Sequence, residues 1–177
     1  MKKVILIIVC FIAASINVEA QGIKFGIKGG ANFSDFDGKD VNSSTLTSYH
    51  FGAVLEINIL PVLSLQPEAM FSSQGAKVEG SDDFKLDYIS VPVLAKFYII
   101  PDRFSIDVGP QFSFLVNDNL KETYETESFD FAGVGGIGLN ITKNFFAQAR
   151  YVIGLTDTTK DAEVKNKVIQ LSVGYTF

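Results

Sequence analysis

The chain has 177 residues, a length that suits one domain, with 20 acidic against 15 basic side chains and a formal net charge of −5. That balance excludes nucleic acid as a partner, because phosphate binding needs a basic surface. One cysteine, one histidine and no tryptophan are present, so an internal disulfide and a cysteine-based metal site are excluded as well.

The chain opens with MKKVILIIVCFIAASINVEA. Lys2 and Lys3 form a basic start, Val4 to Ala14 an apolar run, and Val18-Glu19-Ala20 a small-residue cleavage site before Gln21. This pattern predicts a secretory signal peptide over residues 1–20 and a mature domain over 21–177. Cys10 falls inside the apolar run and follows Val9, which argues against lipidation. Loss of Lys2, Lys3 and Glu19 leaves a mature charge of about −6. No later apolar run is long enough for a spanning helix, so a membrane could be crossed only by strands.

The mature chain alternates apolar and polar residues with the period of a β-strand. In Ile23–Ser34, Ile23, Phe25, Ile27, Ala31 and Phe33 share one face, and Lys24, Lys28, Asn32 and Ser34 the other. A polar loop, Asp35–Ser48, follows. Tyr49–Ile59 is the second predicted strand, with His50 and Glu56 on its polar face. After Leu60-Pro61-Val62 comes the third, Leu63 to about Ser73, carrying Gln66 and Glu68, and then the loop Gln74–Lys85. Leu86–Ile99 is the fourth, with Tyr88, Lys96 and Tyr98 on its polar side. A short turn at Ile100-Pro101-Asp102 leads to the fifth, Arg103–Val116, whose polar face holds Asp107. Asn117–Ser128 is a charged loop. Phe129–Ile141 is the sixth, and its glycines from Gly133 to Gly138 read as close strand approach. Thr142-Lys143-Asn144 turns into the seventh, Phe145–Leu155, with Gln148 and Arg150 on the polar side. Thr156–Asn166 is the last loop, and Val168–Phe177 the eighth strand.

Eight amphipathic strands joined by strictly alternating long and short connections fit a transmembrane barrel, with short turns on the periplasmic side and long loops outside. The last strand ends on an aromatic residue, and an unpaired apolar edge there would invite aggregation, so pairing of the eighth strand with the first is expected. The fold class is therefore all-β: an eight-stranded antiparallel up-and-down transmembrane β-barrel. Periodicity alone does not say which face is out, and a soluble lipocalin-like barrel would invert the faces. Pro67, Pro92 and Pro110 fall inside strands, where bulges or local breaks of pairing are expected.

Three groups of residues carry candidate roles. On the polar face, Lys24, Lys28, Lys96 and Arg150 nearly balance Glu56, Glu68 and Asp107. An eight-stranded barrel is just wide enough for side chains to fill, and buried charges need partners, so these seven are expected to plug the lumen as a salt-bridge network. Lys96 and Asp107 are expected to face each other across the Pro101-Asp102 turn. On the apolar face, aromatic girdles are expected from Phe25, Phe97, Phe104, Phe145, Tyr175 and Phe177 on the periplasmic side, and Phe33, Phe51, Phe71, Phe112, Phe114 and Phe131 on the outer side. His50 reads as an ordinary residue of the outer rim. A lipid-modifying site built on it and Ser48 is a weaker reading, since no motif brings nucleophile, base and acid together. The acids Asp35, Asp37, Asp40, Asp82, Asp83, Glu122, Glu125, Glu127, Asp157 and Asp161 read as a solvated loop surface. Asp35-x-Asp37-Gly38-x-Asp40 only faintly resembles a calcium loop, and no metal is expected.

YISVPVLAKFYI (Tyr88 to Ile99) resembles the aromatic-x-x-x-Pro-x-x-x-Lys-aromatic strand of the PorT-like outer-membrane β-barrel family of Bacteroidota. GIKGGANFS (Gly26 to Ser34), VGPQFSFLV (Val108 to Val116) and ARYVIGLTD (Ala149 to Asp157) resemble its first, fifth and seventh strands. The resemblance implies an eight-stranded barrel of the OmpA/OmpX type in the outer membrane, inserted by the barrel-assembly machinery reading Tyr175 and Phe177. It implies little about activity. The expected role is structural or interactive at the cell surface, as a monomer in outer-membrane lipid with a loop-borne partner, no cofactor and no catalysis. A narrow channel for ions or very small solutes is the alternative.

Overall fold

A computed structural model of the protein describes residues 22–37, 43–78, 84–118, 128–156 and 165–177. These hold eight strands: β1 Ile23–Asp37, β2 Ser43–Leu60, β3 Leu63–Val78, β4 Phe84–Ile100, β5 Phe104–Asp118, β6 Phe129–Asn140, β7 Phe145–Gly154 and β8 Lys165–Thr176. Each pairs antiparallel with its neighbours in chain order, and β8 pairs back onto β1 from Gly26–Thr176 to Asp37–Lys165, closing the barrel. The expected signal peptide with Cys10, and the loop acids Asp40, Asp82, Asp83, Glu122, Glu125, Glu127, Asp157 and Asp161, lie outside the described residues.

One end of the barrel carries connections of two, three and four residues, and the other carries connections of five, five, ten and ten. We call these the turn end and the loop end. Both termini of the described barrel lie at the turn end, where the Phe177 amide donates to the Phe25 carbonyl at 2.9 Å. The alternation is as expected, but β2 begins at Ser43 rather than Tyr49 and β3 runs to Val78. Ser43 to Ser48 is hydroxyl-rich on both faces, so alternation gives no signal there. The strand is set instead by its ladder, Ser43 opposite Val78 through Thr45 opposite Ala76, offset by an irregularity from the main register.

The prolines break pairing without shifting it. Two consecutive ladder pairs are skipped beside each proline, Leu55/Pro67 with Glu56/Gln66, Glu68/Pro92 with Ala69/Val91, and Val93/Pro110 with Leu94/Gly109, and each ladder resumes on its previous register. Proline has no N–H to donate, so pairing is lost locally while the rungs on either side hold the strands in place. The register shifts lie elsewhere, near the strand ends at Thr45/His50, Asn58/Leu60, Asp87/Tyr88 and Tyr98/Ile100. The expected bulges at the prolines are therefore absent, and the expected breaks are present.

The structure settles which face points out. Ile27, Phe51, Ile106, Phe145, Leu171 and Val173 are exposed, the last at 67%, whereas Lys28, Glu68, Asp107 and Arg150 are at most 5% exposed. An apolar outer wall over a polar interior is the arrangement of a membrane barrel and the inverse of a soluble one.

The glycines of β6 divide. A Cβ at Gly136 or Gly138 would crowd β7 or the Ser105 hydroxyl, as close approach requires, but at Gly133 and Gly135 it would meet nothing within 4 Å. The tightest approach is at the closing seam, where a Cβ on Gly30 would run into the Leu171 carbonyl and lie 2.8 Å from Ser172 Cα. Gly30→Ala should therefore prevent closure of β1 on β8, whereas Gly133→Ala should change stability by less than about 0.5 kcal/mol. The check is migration of boiled and unboiled refolded protein on a gel. A faster-migrating unboiled band in Gly30→Ala equal to wild type would contradict this account of the seam.

Candidate functional site

Period-2 alternation sends every second residue of each strand into the lumen, so the interior is assembled from residues far apart in sequence. At its centre is Glu68 of β3. Arg150 of β7 meets it as a two-pronged pair, Nη1 to Oε2 at 2.8 Å and Nη2 to Oε1 at 2.7 Å. Lys28 of β1 approaches Oε2 at 2.8 Å, and the Gln66 amide donates to Oε1. Gln148 extends the network. Its Oε1 accepts from Arg150 at 3.0 Å and Lys28 at 3.4 Å, and its Nε2 donates to Asp107 Oδ2 at 3.2 Å. Ser105 donates to Asp107 Oδ1 at 2.6 Å, and Arg150 Nη2 lies 4.0 Å from Oδ2. Two cations thus face two anions, with side chains 0–1% exposed. Among the described residues, Arg150 Nε is the one buried side-chain polar atom without a partner.

A second cluster lies nearer the turn end. Lys96 Nζ is 2.7 Å from Glu56 Oε2, and the Tyr98 hydroxyl donates to Glu56 Oε1 at 2.8 Å. Lys24 stands opposite Glu56 in the β1–β2 register, half-buried, and lines a narrow pocket with Glu56, Lys96 and Lys143. Lys96 and Asp107 are register partners, yet their charges do not meet. Lys96 reaches across to Glu56 of β2, and Asp107 accepts from Ser105 of its own strand and from Gln148 of β7.

Of the seven charged residues read from sequence, Lys28, Glu68, Asp107 and Arg150 share one network, while Glu56 and Lys96 form another with Lys24 beside them. A search for charges passes over the neutral members Gln66, Ser105, Gln148 and Tyr98, although their alternate positions on the polar face place them inside. Asp130, also inward and buried, was missed too; it accepts from Thr156 at 2.7 Å. The interior is not uniformly polar. Leu94, Ala132, Val134, Val152 and Val168 form an apolar cluster inside the barrel, with Val134, Val152 and Val168 as consecutive register partners loopward of Arg150.

His50 is not at the rim. It is 2% exposed inside the lumen, with Nδ1 2.7 Å from Asn32 Oδ1 and Nε2 2.7 Å from Ser172 Oγ. Ser48, the hydroxyl nearest in sequence, bonds the Ser73 carbonyl instead at 2.6 Å.

On the outer wall, Phe25 stacks on Phe177 at 5.9 Å, and Tyr175 contacts both Phe177 at 5.4 Å and Phe145 at 5.0 Å, all at the turn end. Toward the loop end, Tyr49, Phe51 and Phe71 form a three-ring cluster, and Phe112–Phe131 and Phe114–Phe129 form pairs at 5.3 and 5.5 Å. Tyr49 and Phe129 were not among the expected girdle residues. Phe33, Phe97 and Phe104 share the outward face opposite Thr47, Ile106 and Leu139.

Removing Glu68 leaves two buried cations without their main partner, whereas half-buried Lys24 has water within reach. Glu68→Ala should destabilise the barrel by about 3–5 kcal/mol, and Lys24→Ala by less than about 1 kcal/mol. Urea unfolding in detergent micelles measures both; equal losses would contradict a buried Glu68-centred network.

The fold is shared with three solved barrels. Neisserial surface protein A (NspA) is 14% identical, with 89% of this chain and 100% of that chain covered at a TM-score of 0.60. Ail, the attachment invasion locus protein of Yersinia pestis, is 17% identical, with 88% and 99% covered at 0.55. The outer membrane protein OprG from Pseudomonas aeruginosa is 14% identical, with 88% and 96% covered at 0.53. At these identities the likeness is one of fold. Comparison with curated proteins finds no match. The sequence model of the outer membrane protein beta-barrel domain matches residues 19–160, more than half of the chain, and the protein belongs to that outer-membrane family.

Proposed function

We propose that the protein is a non-conducting outer-membrane barrel whose role lies at the cell surface, in envelope integrity or in contact with a partner through its loops. The observation that carries this reading is the closed layer of Glu68, Arg150, Lys28, Gln148 and Asp107. Its side chains bond one another across the lumen and are almost wholly buried. An ion crossing that layer would have to part pairs already stripped of water.

In this reading residues 1–20 direct export, and residues 21–177 insert as a monomer through the barrel-assembly machinery, which recognises Tyr175 and Phe177. The aromatic clusters at the two ends of the wall sit at the two lipid interfaces. The turn end faces the periplasm, and the connections at 38–42, 79–83, 119–128 and 155–164 face outward. The Tyr88-to-Ile99 strand supports a place among the PorT-like barrels of Bacteroidota. Ail, named for attachment and invasion, offers a precedent for surface contact on this fold. The structural role needs no cofactor and no chemistry.

The alternative is a narrow channel, favoured by the run of charged side chains from Lys24 to Arg150 along the lumen. Planar-bilayer recording decides between the two. The refolded wild type should be silent, and steady current steps that Glu68→Ala or Lys28→Ala alters would replace the sealed barrel with a channel. For the surface role, an epitope inserted within residues 119–127 should be reached by antibody on intact cells; labelling only after lysis would contradict the proposed orientation.

A further inference from the structure

The outer wall is not evenly filled. On β7 the outward residues between Phe145 and Tyr151 are Ala147 and Ala149, and on β1 the residue level with Ala147 and Val173 is Gly29. Larger side chains flank them. Leu139 and Ile137 of β6 are the register partners of Ala147 and Ala149 on one side, and Val173 and Leu171 of β8 on the other; all four are exposed. The result is a groove of about 460 Å³ in the outward face, with Gly29, Ala147 and Ala149 as its floor and Phe104 on its far side. That volume is in the range of sites that hold a small molecule. From Phe145 to Tyr151 the trough along β7 is roughly 20 Å long at the rise of a strand.

The groove begins one outward step inside the Phe145–Tyr175–Phe177 cluster at the turn end. Aromatic clusters of this kind mark the membrane interface, so the groove lies in the hydrocarbon next to it. Two cations stand at the same end. Arg103 directly precedes Phe104, and Lys143 lies two residues before Phe145; both are exposed. The Asn140 amide donates to the Arg103 carbonyl at 2.8 Å, which holds the start of β5 beside the end of β6. Among the described residues neither cation enters an ion pair, and Asp102 is the one acid on the turns 101–103 and 141–144. Lys143 also borders the turn-end mouth of the lumen. An apolar trough thus ends at a rim of net positive charge, the complement of a lipid with an anionic headgroup. A second copy of the chain fits less well. Two barrels in one membrane pair about an axis along its normal, which would set Lys143 and Arg103 of both copies against each other.

We propose that this groove holds one anionic glycerophospholipid, with an acyl chain laid along β7 over Ala147 and Ala149 and the phosphate beside Lys143 and Arg103. The inference rests on the reading that the turn end faces the periplasm, because that leaflet then supplies the lipid. The chain occupies the space that the two alanines leave open between the ridges of β6 and β8, and so restores contacts the wall would otherwise lack. Phe145 marks the level at which the chain gives way to the headgroup. Shape holds the lipid along the wall and charge holds it at the rim, so the two contributions separate by substitution.

The test is native mass spectrometry of the full mature barrel refolded in detergent micelles. The probe is dimyristoyl phosphatidylglycerol, and dimyristoylglycerol, with the same chains and no phosphate, is its control. The wild type should retain one phosphatidylglycerol and bind dimyristoylglycerol at least about tenfold more weakly. Ala147→Leu combined with Ala149→Leu fills the trough and should abolish retention while keeping the heat-modifiable band. Ala149→Leu alone carries the test, with the same expected loss, if the double variant does not refold. Ala95→Leu, on the outward face of β4 away from the groove, should retain lipid as wild type does. Lys143→Gln should weaken retention about fivefold. No retained lipid, equal retention of the two probes, or unchanged retention in the folded leucine variants would each overturn the proposal. So would a dimer that the leucine variants abolish, since the groove would then be a contact between copies. Retention in micelles does not depend on which way the barrel faces, so an epitope reached only after lysis would overturn the choice of leaflet and leave the lipid result standing by itself.

Discussion

Backbone hydrogen bonding in a medium without water governs this molecule. Each N–H and C=O left unpaired in hydrocarbon costs several kcal/mol, so a sheet that crosses a membrane must have no edge. Pairing of β8 with β1 meets that condition, and the rest follows from it. The closing seam admits only glycine at position 30. Closure at eight strands fixes a lumen that side chains fill. The prolines are tolerated because each interrupts the ladder only locally, between intact neighbours, rather than opening an edge.

Once the wall is closed and its apolar face is out, the charges have nowhere to go but inward, and their mutual arrangement decides whether the interior is affordable. Glu68 receives four hydrogen bonds or ion contacts, from Arg150 twice, Lys28 and Gln66. Asp107 is held by Ser105 and Gln148. The valine layer over Arg150 lowers the local dielectric, which strengthens satisfied pairs and penalises any that are broken. The barrel interior therefore behaves like a protein core with a polar stratum, not like a pore.

Family membership and fold place the protein in the outer membrane, but the likeness to NspA, Ail and OprG is one of architecture. A barrel of this type is a scaffold on which loops and lumen residues vary independently. What distinguishes this chain lies in its own interior: a neutral ionic layer that closes the centre, and a separate hydrogen-bonded Asn32–His50–Ser172 group on its loop side.

The sequence by itself determined the number of strands, which residues share a face, and the alternation of short and long connections. Each of these is a local property: a side-chain period of two, and turn residues between the runs. It could not show the outer parts of β2 and β3, where Ser43 to Ser48 carries hydroxyls on both faces and a single apolar residue, Leu46. Alternation alone does not say which face is out, being the same in a soluble barrel; the outward apolar face came with the reading of a transmembrane barrel, and the burial pattern bears it out. Tertiary structure alone decided the partners. Arg150 and Glu68 are 82 positions apart, and His50 and Ser172 are 122 apart. Period two says that each points inward, but only the closed register and the tilt of the strands say which inward residues share a level. For the same reason Lys96 and Asp107, adjacent across a short turn, pair elsewhere, and His50, a rim residue by position, is a buried one by geometry.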